Sequence, residues 1–102
     1  MNDIMVDVET TGTNPDRSAV IQIAAVRFDL STGAVDGNFF NECLMIPPWR
    51  HWDFDTQQWW MKQKRDVLQG IYERMRPTND VLNQFVDWVG YQDKPRMWAK
   101  AA

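Results

Sequence analysis

The alternation Ile4-Met5-Val6-Asp7-Val8-Glu9 leaves this chain little choice at its start. Successive side chains of a β-strand point to opposite faces. A strand over residues 3–8 therefore gathers Ile4, Val6 and Val8 on one face and Met5, Asp7 and Glu9 on the other. Two carboxylates two residues apart on a strand lie roughly 6–7 Å from each other. No Lys or Arg occurs between Met1 and Asp16 to neutralise them. Such a pair is either a solvated acidic strand end or half of a site that takes a positive partner. A divalent cation is the simplest partner, because hard cations such as Mg²⁺ accept carboxylate oxygens. Thr10-Thr11-Gly12 follows, and glycine allows a sharp turn just after Glu9.

The period-two pattern continues over about 19–29. Val20, Gln22, Ala24, Val26 and Phe28 share one face there, and Ile21, Ile23, Ala25 and Arg27 the other. Apolar character on both faces predicts a central strand. Ser31-Thr32-Gly33 reads as a hairpin turn. A third strand over about 36–46 is stopped by Pro47-Pro48. Tight connections make these three strands an antiparallel meander. Then the period changes. Trp49–Phe54 reads as a loop, and Asp55 with Gln58 has the form of a helix capping box. That helix would carry Trp59 and Trp60, which cannot face the same way. Leu68, Ile71, Tyr72 and Met75 predict a second helix, with Gly70 weakening its middle. A third helix is capped by Thr78 or Asn79 and ends at Gly90. Val81, Leu82, Phe85, Val86 and Val89 form its apolar face. Pro95–Lys100 begins a fourth strand. The pattern by itself is α/β.

A strand ending Asp7-Val8-Glu9-Thr10-Thr11-Gly12, a loop, and then Val20–Phe28 resembles the first motif of the DEDD (DnaQ-like) 3′-5′ exonucleases. Asp55-Thr56-Gln57-Gln58-Trp59-Trp60-Met61-Lys62-Gln63 looks like a phage and bacterial branch of that superfamily. The resemblance implies a ribonuclease-H-like fold whose fourth strand runs parallel to the first. It implies hydrolysis of phosphodiester bonds at DNA or RNA 3′ ends with Mg²⁺ or Mn²⁺. Asp7 and Glu9 would be catalytic and metal-binding, Asp7 bridging two ions and Glu9 holding one. Thr10, and one of Trp59 and Trp60, would meet the substrate, while Thr10 also reads simply as a β-favouring residue ending a strand. The family's second motif should bring a further Asp after the fourth strand, and its third motif another. Asp80, Asp87 and Asp93 match neither, and the sequence ends at Lys100-Ala101-Ala102 where the second motif would begin. The expectation is one exonuclease-like domain over 1–102, incomplete at its carboxyl end and nearly inactive alone. Relatives with a catalytic His place it five residues before an Asp in the third motif. His51 has Thr56 at that distance and is read as a loop residue.

Composition narrows the classes further. The single cysteine, Cys43, excludes an intramolecular disulfide and a Cys-based zinc site, and reads as packing. No apolar run reaches membrane-spanning length and no signal peptide precedes Ile4, so a cytoplasmic location is expected. The net charge of −3 is unevenly spread. Residues 1–49 hold seven acidic against two basic side chains, and residues 50–76 hold six basic against four acidic. Six tryptophans include Trp88 and Trp98, read as core, and Trp49 and Trp52 in a loop. A non-catalytic remnant binding nucleic acid or protein through the aromatic, basic helical segment is the alternative function. Uncovered sheet surface would favour homo-oligomers.

Overall fold

A computed structural model describes residues 1–90 and 94–99; Asp93 and Lys100 lie outside them. Strands β1 (Asp3–Thr10), β2 (Val20–Phe28) and β3 (Phe40–Leu44) form the expected antiparallel meander. Helices α1 (Phe54–Gln63) and α2 (Arg65–Glu73) follow. A two-residue strand β4 (Met75–Arg76), helix α3 (Thr78–Val89) and strand β5 (Arg96–Ala99) complete the order. The sheet order is β4-β3-β2-β1-β5, with β5 parallel to β1 and β4 parallel to β3. β2 is thus central, as its two apolar faces predict, and no helix among the described residues is long and apolar enough to cross a membrane.

Two buried clusters hold the layers together. Ile4, Ile23, Ala25, Phe40 and Leu44 meet Val81 of α3, with Val6, Phe85, Trp88 and Val89 packed around them. Each such aliphatic side chain, fully buried, contributes roughly 1.5–3 kcal/mol. Ile21 and Cys43 instead meet Trp60, Leu68 and Ile71 of α1 and α2. Cys43 and Leu44 are adjacent and both inaccessible, yet belong to different clusters. Strand alternation therefore puts α3 and the α1–α2 pair on opposite faces at this end of the sheet.

Ile21 leaves the cluster of Ile23 for a local reason. Glu9 pairs with Gln22 but Thr10 pairs with Val20, so Ile21 is an extra residue on β2. A bulge of this kind redirects the side chain it carries. Arg27 shares its sheet face with apolar residues because its guanidinium spans to the end of α3. It donates to the Trp88 carbonyl and to that of Val89 at 3.1 Å, and lies 4.1 Å from the Trp88 ring centroid. A cation there complements the helix dipole.

Several expectations are corrected. The α1 N-cap is Asp53, not Asp55: its carboxylate accepts from the Thr56 backbone N–H and hydroxyl. Phe54 is accordingly helical. β3 is shorter than 36–46, and Met75 leaves α2 to pair with Cys43. Neither Thr78 nor Asn79 caps α3, whose N-cap is Pro77, and the Thr78 hydroxyl donates to the Met45 carbonyl. Leu82 and Val86 stand exposed, because α3 turns Val81, Phe85 and Trp88 toward the sheet instead; Val8 of β1 is exposed as well, outside the cluster that holds Ile4 and Val6. Trp98 is not core. It lies 37% exposed on β5, its indole N–H donating to Asp3 at 3.0 Å.

Candidate functional site

β1 sits between β2 and β5: β2 pairs with it from Asp3 to Thr10, and β5 from Asp3 to Val6, which leaves its side chains to the two faces. Asp7 pairs opposite Ala24 and Glu9 opposite Gln22, small or uncharged neighbours in the same ladder. The two carboxylates therefore stand on one face at the carboxyl end of β1, as expected. Asp7 is exposed and Glu9 half-buried. Burial, and then the charge of Asp7, push the Glu9 carboxyl above its ordinary value, with Lys64 offsetting part of this. The ion pairs of the described residues are Arg76–Glu42 and Arg96–Asp3, so neither Asp7 nor Glu9 has one. Beside Asp7 an open groove of about 430 Å³ runs over Met5, Ala24, Val26, Phe39 and Asn41.

The end of β1 is tied to α1 through Thr11, which the sequence did not single out. Its side chain is fully buried. The hydroxyl donates to the His51 carbonyl and accepts from the Ala19 N–H, both at 2.8 Å. Its own N–H donates to Ala19, and its carbonyl accepts from Asp53, the α1 cap. One residue thus joins the acidic strand, the start of β2 and the start of α1. Two threonines in a row were the available signal, but a buried and an exposed threonine are alike in sequence. Thr10 turns its hydroxyl to the Gly12 carbonyl at 2.8 Å.

Gly12 serves differently from the turn expected of it. It is not among the glycines of positive φ, which are Gly33 and Gly90. A Cβ at Gly12 would lie 2.6 Å from Ser18 Oγ and 2.7 Å from Asp53 Cβ. Its lack of a side chain lets the β1–β2 loop and the start of α1 close on each other.

The paired tryptophans split. Trp60 is 3% exposed and belongs to the core, whereas Trp59 is 49% exposed and meets Trp60 edge-on at 5.5 Å. Only Trp59 retains a free aromatic face. His51 is exposed, and its backbone N–H donates to Arg17. Cys43 is buried, with the Arg74 guanidinium 3.0 Å from its sulfur. Among the described residues no three His, Cys, Asp or Glu side chains converge on a metal position. The donor set at β1 is two carboxylates, hard oxygen ligands without a protein cation paired to them, which suits a divalent ion.

A family model described as the 3′-5′ exoribonuclease Rv2179c-like domain matches residues 2–102. No curated protein matches the chain. Among solved structures it is similar to the crystal structure of cell-death related nuclease 4 (CRN-4), at 24% identity and a TM-score of 0.53. That match covers 84% of this chain and 29% of CRN-4. The likeness bears on the fold, and agrees with the ribonuclease-H-like α/β arrangement expected from the sequence.

Proposed function

The chain belongs to the Rv2179c-like 3′-5′ exoribonuclease domain family, and from that premise we propose that it removes nucleotides from RNA 3′ ends with the help of a divalent metal ion. The observation that carries this reading is the carboxylate pair. Asp7 and Glu9 share one strand face, and the acidity of Glu9 is perturbed by burial and by its neighbour. Perturbed groups of this kind cluster at functional sites.

Asp7 and Glu9 would hold Mg²⁺ or Mn²⁺. When bound, such ions polarise the phosphoryl oxygens and promote attack by water. The rest of the chemistry on the page is positioning. β2 holds the β1 backbone through Asp7 and Glu9, β5 holds its first half, and Thr11 fixes α1 against its end. Trp59 offers a face on which a base can stack, a contact worth about 1–3 kcal/mol. Trp60 supports that ring from the core, so the substrate contact expected of the pair falls to Trp59. The Thr10 side chain is occupied by Gly12, leaving its backbone for the terminal nucleotide.

The test is digestion of a 5′-labelled oligoribonucleotide with and without Mn²⁺, together with calorimetric titration of the ion. Shortening from the 3′ end should require the metal. Two protein carboxylates fix an ion loosely, and positional error near 1 Å costs about a hundredfold in rate, so turnover by this chain should be slow. Asp7→Ala and Glu9→Ala should each remove cleavage and the metal heat while leaving the circular dichroism unchanged. Cleavage that survives both substitutions removes the site.

A further inference from the structure

Beyond the acidic strand end, the β1–β2 loop and the residues leading into α1 enclose a polar hollow of about 210 Å³. Asn14, Arg17, Ser18, His51, Trp52 and Phe54 line it. That volume is below the roughly 300–1,000 Å³ of complete small-molecule sites. It suits one unit of a longer ligand better than a free metabolite.

We propose that this hollow is a nucleotide subsite of the RNA strand, with Arg17 against a backbone phosphate and Phe54 against a base. The proposal rests on the exoribonuclease reading. Its first support is chemical. The Arg17 side chain forms no hydrogen bond or ion pair among the described residues, although it is the only Lys or Arg before residue 27. Its neighbour Arg50 is engaged, donating to the Pro15 carbonyl at 2.7 Å. Phe54 is 71% exposed at the first position of α1, which leaves its ring face open for a base to stack on. Trp52 is a fixed wall, its indole N–H held by the Tyr72 hydroxyl at 2.9 Å. Asp53 also lines the hollow, its carboxylate oriented by the Thr56 N–H and hydroxyl that it accepts from.

The second support is placement. The lining begins at Thr13, four residues past Glu9, a span of at most ~13 Å of extended chain. Both walls are fixed to the catalytic strand by Thr11 and by the close approach at Gly12. A group held here is positioned relative to Asp7 and Glu9. Because those carboxylates serve the terminal phosphodiester, the hollow takes a nucleotide upstream of the two that this bond joins.

The experiment measures binding without divalent metal, in EDTA. Fluorescence anisotropy follows a 5′-labelled seven-nucleotide RNA, and the same label on a two-nucleotide RNA. Phe54→Ala should weaken the longer RNA about tenfold and leave the shorter unchanged, while Phe54→Tyr restores affinity. Arg17→Gln should reduce the salt slope of binding by about 0.7, the share of one phosphate on a single strand. Both side chains are exposed and unbonded, so the variants should melt with the parent protein. Unchanged affinity and slope, with Trp59→Ala still weakening the RNA, would overturn the subsite and leave the proposed function standing. Equal losses on both RNAs would overturn its upstream placement. A parent protein that binds neither RNA in EDTA would overturn the subsite, while the metal-dependent digestion decides the proposed function separately.

Discussion

Gly12→Ala should damage the molecule out of proportion to one methyl group. The new Cβ would meet Asp53 Cβ at 2.7 Å and Ser18 Oγ at 2.6 Å. Carbon pairs are comfortable at about 3.5–4.0 Å, so Asp53 has to retreat by about 1 Å. It cannot do so freely. Its N–H donates to the Thr11 carbonyl at 2.8 Å, and its carboxylate caps α1. A shift of that size stretches the backbone bond beyond the usual limit of about 3.2 Å. Overpacking costs roughly 1–3 kcal/mol, and a weakened cap adds about 1 kcal/mol. A loss of about 2–4 kcal/mol is expected, or roughly 10–30 °C in Tm for a domain of this size. Gly70→Ala is the internal control. A Cβ there meets nothing within 4 Å, and the residue lies inside α2, so stability should rise by about 0.5–1 kcal/mol. Thermal and urea unfolding followed by circular dichroism measure both. A Gly12→Ala protein melting within about 2 °C of the parent would show that α1 yields easily, and the tight frame argued here would be wrong.

Two further substitutions probe the same scaffold. Thr11→Val keeps the shape but strands the Ala19 N–H and the His51 carbonyl, for about 2–4 kcal/mol in urea unfolding; Thr11→Ser should lose far less. At the opposite end of β1, the Arg96 guanidinium and then the Trp98 indole hold the Asp3 carboxyl below its ordinary value. A lowered carboxylate pKa stabilises the fold above the unfolded value, near 4, and that contribution disappears as pH falls below it. Hydrogen-exchange protection factors at β5, corrected for the intrinsic pH dependence, should therefore fall below about pH 4 in the parent. Asp3→Asn should exchange fast already at neutral pH and respond little to acid; an identical acid response in both would refute the role of Asp3.

What could be read from the sequence was whatever repeats with a period. β1, β2 and α3 announce themselves through alternation or helical spacing over eight residues or more. β4 does not, because Met75 and Arg76 are a strand only through their partners Cys43 and Leu44. The cap of α1 was misplaced by two residues. Asp53 and Asp55 both precede a polar residue three positions on, and only the bond to Thr11 selects the first. The same holds at the site. Asp7 and Glu9 are visible because the strand period puts them together. The hydroxyl of Thr11 and the contact at Gly12 depend on loops that approach from 6 to 41 positions away. Trp98 was misjudged because a strand residue looks the same from either face of a sheet.

The pairing of β5 with β1 also sets an order of events. Asp3 and Arg96 stand 93 positions apart, so the strand bearing both carboxylates waits for a partner made 93 residues after it. At roughly 5–20 residues per second, a ribosome needs about 5–19 s to cover that distance. Throughout that interval β1 can pair with β2 while its other edge remains open, a template for any extended segment that passes. The bidentate grip of Arg96 on Asp3 is the contact that ends this exposure. The acidic strand is thus paired early on one edge and late on the other.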